Sequence, residues 1–344
     1  MTATLHPFEL PLSTPLETST GTIEKRTGWV LSVNDGTTGL GEATPLAGFT
    51  ESRARCESTL DSVIAALENE DWRSAFAATT EMPAARHALA SALLDVRARQ
   101  NDRPLYRELG GDQTVEHVPV HATIGAGAVA ETVARATEAV DAGFETLKLK
   151  VGTRPLEDDL NRVAAVRSAV GSAVDIRVDA NGAWDPETAS HAIDELAAHD
   201  VSLVEQPLPA DDLAGHRDLR GTIPIALDES LVEHGPTAVL DADAADALVL
   251  KPMALGGPDV ARGVAITAHR SDVDVLVSNT IDGAIARTAA VHLAASLPAP
   301  LVSGLATASL LERDVAPDPS PLVAGTMAVP QTPGLGVSEV TVDA

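Results

Sequence analysis

From residue 117 onward, eight short β-branched runs alternate with Ala-rich stretches of helical periodicity: HVPVHATIG, TLKLKVG, DIRVDANG, VSLVEQP, IPIALDES, ALVLKP, VDVLVSN and PLVSGLA. Strands that read as near-continuous apolar runs are buried on both faces. Their alternation with segments such as ETVARATEAVDAG and DDLNRVAAVRSAV is the pattern of repeated βα units around a parallel sheet. Eight units in one run favour a closed barrel over an open sheet. Aromatic residues are only 2%, so Val, Leu, Ile and Ala must fill the core.

The 344 residues leave room for a second, smaller unit beside a barrel of about 250 residues. LHPFELPLSTPLET, TGWVLSVND and TTGLGEATPL read as a small antiparallel sheet. Two helices follow, over about Glu51–Leu67 and Ala84–Arg99, with Met82-Pro83 marking the break between them. After about Val315 the chain is rich in Pro and Gly and ends in LGVSEVTV, which is expected to return to the N-terminal sheet as a last strand.

Charge and cysteine usage exclude several function classes. The net charge of −26 comes from 50 acidic against 24 basic residues scattered along the chain, the wrong sign for nucleic acid or an anionic membrane. Dispersed acidity with little lysine resembles proteins of a high-salt cytoplasm, where salt screens self-repulsion. One cysteine, Cys56, permits neither an internal disulfide nor a Cys-rich zinc site. With no basic-then-apolar leader and no apolar run of about 18 residues, a soluble cytoplasmic protein is expected, with a homo-oligomer left open.

Barrel active sites lie at the C-terminal ends of the strands. There the sequence places Lys148 and Lys150, Asp179, Glu205, Asp228 and Lys251; from Lys150 the steps are 29, 26, 23 and 23 residues, each close to one βα repeat. Only four lysines occur in the chain, Lys25, Lys148, Lys150 and Lys251, and three of them sit in these apolar runs. Two-residue periodicity turns Lys148 and Lys150 to the same face. Asp179, Glu205 and Asp228, on three neighbouring strands, can converge, and a hard divalent cation resolves their repulsion. Oxygen-only ligands point to Mg²⁺ or Mn²⁺ over zinc. Lys150 and Lys251 would then face each other across the mouth. Such a cation stabilises an enediolate, a flanking ammonium adds to it, and a lysine whose pKa is lowered by neighbouring positive charge becomes a usable base. The expected substrate is therefore a small-molecule carboxylate that loses its α-proton. Asn181 and Glu229 read as partners of these groups or as caps.

LKLKVG, RVDANGAW, EQP, ALDES and LVLKP, in this order, resemble the signature of the enolase superfamily, in its muconate-lactonizing-enzyme-like subgroup. The resemblance covers nearly the whole chain and implies a modified (β/α)7β TIM barrel, residues 113–314. It also implies an α+β capping domain, residues 1–112, completed by the tail 315–344. By the same resemblance Asp179, Glu205 and Asp228 match the Mg²⁺ ligands. Lys150 and Lys251 match the two catalytic lysines, and Lys148 would tune Lys150 and contact the carboxylate. GEATPLAGFTES, ALDESL with LVLKPMALGG, and VSNTIDGAIAR are similar to segments of o-succinylbenzoate synthases, with Asn279 and Asp282 as departures in the last and Ser278 and Asn279 as substrate-binding candidates. The segment from about Thr14 to Arg26 is expected to close over the substrate.

The nearest rival is a racemase or epimerase of N-acylamino acids or dipeptides, or a muconate-type cycloisomerase, using the same lysine pair. Dipeptide epimerases commonly carry Asp-x-Asp after the eighth strand, whereas this chain has Ala306 and Ala308 in SGLATASLLERD. A metal-free Schiff-base aldolase would not need three convergent carboxylates. A non-catalytic barrel would tolerate loss of Lys150.

Overall fold

The computed structural model describes residues 1–18 and 21–341. Alternating polar and apolar residues near the N-terminus form three antiparallel strands, β1 (Thr2–Thr18), β2 (Gly21–Asn34) and β3 (Thr38–Ala43). Pairing runs from Thr2↔Asn34 to Thr18↔Gly21, with an irregularity between Pro11 and Leu16, where proline has no N–H to offer the ladder. The segment Thr14–Arg26 is thus mostly strand rather than loop; Ser19 and Thr20 lie outside the described residues.

Three helices follow: α1 (Arg53–Glu68), α2 (Trp72–Ala78), which the sequence reading missed, and α3 (Pro83–Gln100). Gly39 and Gly41 of β3 face α3, and a Cβ on Gly41 would overlap the Ala88 carbonyl. Glycine is what lets helix and sheet backbones approach so closely. Short α4 (Leu105–Glu108) and β4 (His117–Pro119) lead into the repeat.

The parallel sheet contains β5 (Ala122–Ile124), β6 (Thr146–Lys150), β7 (Asp175–Asp179), β8 (Val201–Glu205), β9 (Ile225–Leu227), β10 (Ala247–Leu250) and β11 (Asp274–Val277), side by side in chain order. Helices α5 (Val129–Asp141), α6 (Leu156–Val170), α7 (Pro186–Ala197), α8 (Leu213–Leu219) and α9 (Glu229–Asp241) connect them, with α10 (Pro252–Leu255) and α11 (Pro258–Arg270) sharing one crossover. Residues 301–304 close the ring as isolated parallel bridges, Ser278↔Gly304 on one side and Val120↔Ser303 on the other. The N–H groups of Leu301 and Gly304 donate to Val275 and Val277, and that of His121 to Ser303. The eighth expected strand is present in pairing, though shorter than a regular strand.

Buried Val, Leu, Ile and Ala between sheet and helices form the main core. Inside the ring the two halves differ. Leu203, Ala226, Ala247, Val249, Leu276 and Leu301 make a small apolar cluster, while His121, Lys148 and Arg177 bury polar side chains opposite. Helix α12 (Ala284–Ser296) is buried at every position, because it lies between the barrel and the N-terminal sheet. Among the described residues no helix is long and apolar enough to cross a membrane.

The tail corrects one expectation. Two short strands, β12 (Leu322–Val323) and β13 (Thr326–Ala328), form a hairpin whose β13 pairs with β4, not with the N-terminal sheet. Beyond them the described residues form no strand: Pro330 and Pro333 lack backbone donors, and Gly334 and Gly336 turn the chain to φ +80° and +82°. Leu335 and Val337 instead bury their side chains against Leu10, Val30 and Leu40, and Asp95 accepts the Leu335 N–H. The end of LGVSEVTV, from Val342, lies outside the described residues.

Candidate active site

The β6 end carries Lys148 and Lys150, and both turn inward, as their spacing requires. Lys148 Nζ donates to both carboxylate oxygens of Glu205 at 2.9 Å and lies 3.1 Å from Asp179. Lys150 Nζ donates to Asp179 Oδ2 at 2.6 Å and Asn181 Oδ1 at 2.7 Å. The Asn181 amide passes the chain on to Glu229 at 2.9 Å. Across the mouth, Lys251 Nζ donates to Asp228 Oδ2 at 2.5 Å and sits 4.0 Å from the centroid of the Phe49 ring. Strands β6 and β10 stand four positions apart in a ring closed at eight, so Lys150 and Lys251 approach from opposite sides.

Six of these eight sequence-selected residues belong to one hydrogen-bonded network, and Lys251 and Asp228 form a separate ion pair facing it across the mouth. Ser278 and Asn279 stand beside it without joining: Ser278 donates to the Gly304 carbonyl, and Asn279 exchanges hydrogen bonds with the Thr307 hydroxyl. The backbone N–H of Ser278 donates to Leu250, which places the pair next to Lys251 on the rim.

Four carboxyl groups, Asp179, Glu205, Asp228 and Glu229, meet three ammonium groups here, and burial sharpens the imbalance. Burial opposes ionisation of Asp179, but Lys148 and Lys150 override it and hold the carboxyl well below its usual range. Burial and the Asp179 charge push Glu205 up to about 7. Burial raises Asp228 to about 6 despite Lys251. For Lys148 and Lys251 burial favours the neutral amine, yet their carboxylate partners hold both above the ordinary lysine value. At Lys148 and Lys251 the nearby anions therefore outweigh both burial and like charge.

The residues also fit a divalent cation. Asp228 Oδ1 and Glu229 Oε2 are buried without a hydrogen-bond partner, an arrangement that is costly unless something positive meets them. Among the described residues no three carboxylate, imidazole or thiolate groups are gathered at ligating range; the lysine ammonium groups stand against the carboxylates instead. An oxygen-only donor set with excess negative charge suits a hard cation.

Several supporting residues escaped the sequence reading. Gln206, buried and at φ +43°, accepts the N–H groups of Asp228 and Ser230 and donates to the Leu208 carbonyl and Ser230 hydroxyl. It thereby ties the ends of β8 and β9 and orients Asp228. Its position inside EQP was the only available signal. Phe49 gave none, because a ring's place over a lysine two hundred residues away is not encoded locally. His121 is buried in the ring with both nitrogens unpartnered, and burial holds it well below the usual histidine range.

Residues 1–110 match the N-terminal domain of the mandelate racemase / muconate lactonizing enzyme family, and residues 131–340 match the enolase C-terminal domain-like family. The chain is 30% identical to the L-Ala-D/L-Glu epimerase of Bacillus subtilis (strain 168), over 95% of this chain and 93% of that protein. It is 39% identical to the o-succinylbenzoate synthase of Thermobifida fusca (strain YX), over 64% of this chain and 70% of that protein. Muconate cycloisomerase 1-2 of Acinetobacter lwoffii is 30% identical over 96% and 90%. A solved structure of the dipeptide epimerase from Enterococcus faecalis V583, complexed with Mg and the dipeptide L-Leu-L-Tyr, superposes with a TM-score of 0.90. It is 28% identical and covers 98% of this chain and 99% of that one.

Proposed function

The chain belongs to the mandelate racemase / muconate lactonizing enzyme family of the enolase superfamily, and within it we propose an o-succinylbenzoate synthase. The reaction is loss of water from 2-succinyl-6-hydroxy-2,4-cyclohexadiene-1-carboxylate, a step toward menaquinone. The observation that carries the α-proton chemistry is the pair Lys150 and Lys251, set on opposite sides of a mouth lined with carboxylates. The choice of substrate rests on GEATPLAGFTES and on the similarity to the Thermobifida synthase. Ala306 and Ala308, where a dipeptide epimerase would hold a substrate ammonium, count against a dipeptide but not against an N-acyl substrate or a muconate-type lactone.

Asp179, Glu205 and Asp228 would hold Mg²⁺, or Mn²⁺ in its place. When bound, the cation would supply Lewis-acid stabilisation of the negative charge that builds on the substrate carboxylate. Lys150 is the base: its side chain is 34% exposed, against 10% for Lys148 and 13% for Lys251, so it is the ammonium most open to a ligand. As the free amine it takes the proton from the carbon beside the carboxylate. The C–H electron pair moves into the carboxylate to give an enediolate, then returns to form the ring double bond as the C–O bond to the neighbouring hydroxyl breaks. Lys150 gives its proton to the departing hydroxide so that water leaves. Asn181 holds Lys150 in place. Lys251, between Asp228 and the Phe49 face, remains a cation on the opposite side and stabilises the enediolate. Lys148 lies deeper, fixed by Glu205, and raises the positive potential beneath the substrate.

The dispersed acidity supports a protein working in the cytoplasm of a salt-rich cell. The testing experiment is ultraviolet turnover of the cyclohexadiene carboxylate with Mg²⁺ in molar KCl. Rapid substrate loss, abolished by EDTA, is expected. The epimerase reading is supported by full-length similarity to the Bacillus enzyme and by the opposed lysines, which would serve as two bases. Exchange of the α-proton in deuterated water with dipeptides or N-acylamino acids, and no reaction with the cyclohexadiene, would replace the first reading with the second.

A further inference from the structure

The loop joining β11 to α12, Ser278–Gly283, is shaped by residues that lie far away in the chain. Ile281 sits at φ +59°, a left-handed conformation that a β-branched residue enters only when its surroundings force it. Its N–H donates to Asn279 Oδ1 at 3.1 Å, and its carbonyl accepts from Arg26 Nε at 3.3 Å. Arg26 comes from β2 and is buried; its other N–H groups donate to the carbonyls of Thr44 at 2.7 Å and Pro45 at 3.3 Å. Glu42 of β3 has no exposed surface. Its carboxylate accepts the N–H of Gly283 at 2.7 Å, the N–H of Ala286 at 3.0 Å and the Thr44 hydroxyl at 2.5 Å.

Two charged side chains from consecutive strands thus grip the strained loop on either side of Asp282. Glu42 and Asp314 share the capping of α12, Asp314 taking the Ala284 N–H at 2.6 Å, but capping does not account for Arg26, which donates to the Ile281 carbonyl ahead of the helix. Burying both groups costs desolvation that an apolar sheet–helix joint would avoid: burial, with the Asp282 charge, pushes the Glu42 carboxyl up to about 7, and burial lowers the Arg26 guanidinium from its usual value. Asn279 in turn is bonded to Thr307, so the loop's shape sets the rim on both of the last two barrel positions.

We propose that Arg26 and Glu42 are positioning residues that hold the β11–α12 loop in the form that places Ser278 and Asn279 against the non-reacting end of the substrate. The proposal rests on the reading of the mouth as the active site. Arg26→Met and Glu42→Gln are the variants, with Arg26→Lys as the conservative control. Folded Arg26→Met and Glu42→Gln are expected to raise KM about tenfold or more while kcat stays within about threefold, and Arg26→Lys to recover part of the loss. Unchanged KM in the folded variants, or a fall in kcat without a rise in KM, overturns the proposal. If Arg26→Met does not fold, Glu42→Gln decides. If the wild-type enzyme turns over none of the carboxylates named above, the functional reading fails and the loop is read directly by hydrogen exchange. Exchange over residues 278–286 about tenfold faster in Glu42→Gln, with the barrel strands unchanged, then supports the clamp; equal exchange overturns it.

Discussion

Lys150 and Lys251 reach the mouth with different surroundings, and the difference predicts different roles. Lys150 is held by an aspartate and an amide and is partly open to solvent, whereas Lys251 is enclosed by Asp228 and an aromatic face. Lys150→Ala should lower kcat by about 10²–10⁴-fold through loss of the base. Lys251→Ala should lower it by a comparable factor through loss of charge stabilisation. Both variants should still bind Mn²⁺ in an electron-paramagnetic-resonance titration, and substantial turnover in both would refute the two-lysine assignment. Residues outside the site set a pH limit. His292 accepts the Tyr106 N–H, faces the Leu335 carbonyl, and is pushed down to about 4 by burial. Its folded value lies below the unfolded one of about 6.5, so its share of stability is complete above that pH. The share is lost as pH falls toward 4, because the unfolded chain takes up the proton first. The loss between pH 7 and pH 5 should be about 2 kcal/mol. Urea midpoints of His292→Asn should fall less over that interval than those of the wild type; parallel falls would remove this account.

At the scale of elements, β3 is the joint on which the N-terminal sheet depends. Its glycines admit α3, its Glu42 caps α12, and its carbonyl at Glu42 meets His87 of α3 at 2.7 Å. Gly41→Ala places a methyl group inside the Ala88 carbonyl, and backbone cannot turn aside as a side chain can. A destabilisation of about 1–3 kcal/mol is expected from such overpacking. A thermal melt matching the wild type would show that α3 can move away from β3 without cost. The helices and most strands could be located from pattern alone, because apolar periodicity is a local property. Short α2 carried too few residues for its period to register, and the eighth barrel position survives only as bridges, since both its neighbours already hold it.

The whole molecule carries 26 excess negative charges on 344 residues. Self-repulsion of that size opposes the compact state, and salt relieves it as the screening length shrinks from ~10 Å at 0.1 M to ~3 Å at 1 M. The melting temperature should therefore rise steadily with KCl between these concentrations. A salt-independent melt would show that the charges are too far apart to matter.

The sequence by itself determined the repeating βα order, the rim position of each charged strand end, and the family. The first two follow from spacing along one chain, since a two-residue period sets which face a strand residue takes and the repeat length sets which end it occupies. The family follows from the resemblance of the motifs LKLKVG, RVDANGAW, EQP, ALDES and LVLKP. Only the tertiary structure decided which groups are paired there and which are left wanting. Phe49 beneath Lys251, Gln206 behind Asp228, the orphaned oxygens of Asp228 and Glu229, and the grip of Arg26 and Glu42 on a loop some two hundred and forty residues away arise when the ring closes and the N-terminal sheet docks. Tail residues expected to form a strand pack instead against the sheet, because Gly334 and Gly336 turn the backbone to φ +80° and +82°, out of the extended range, while Leu335 and Val337 can still be buried.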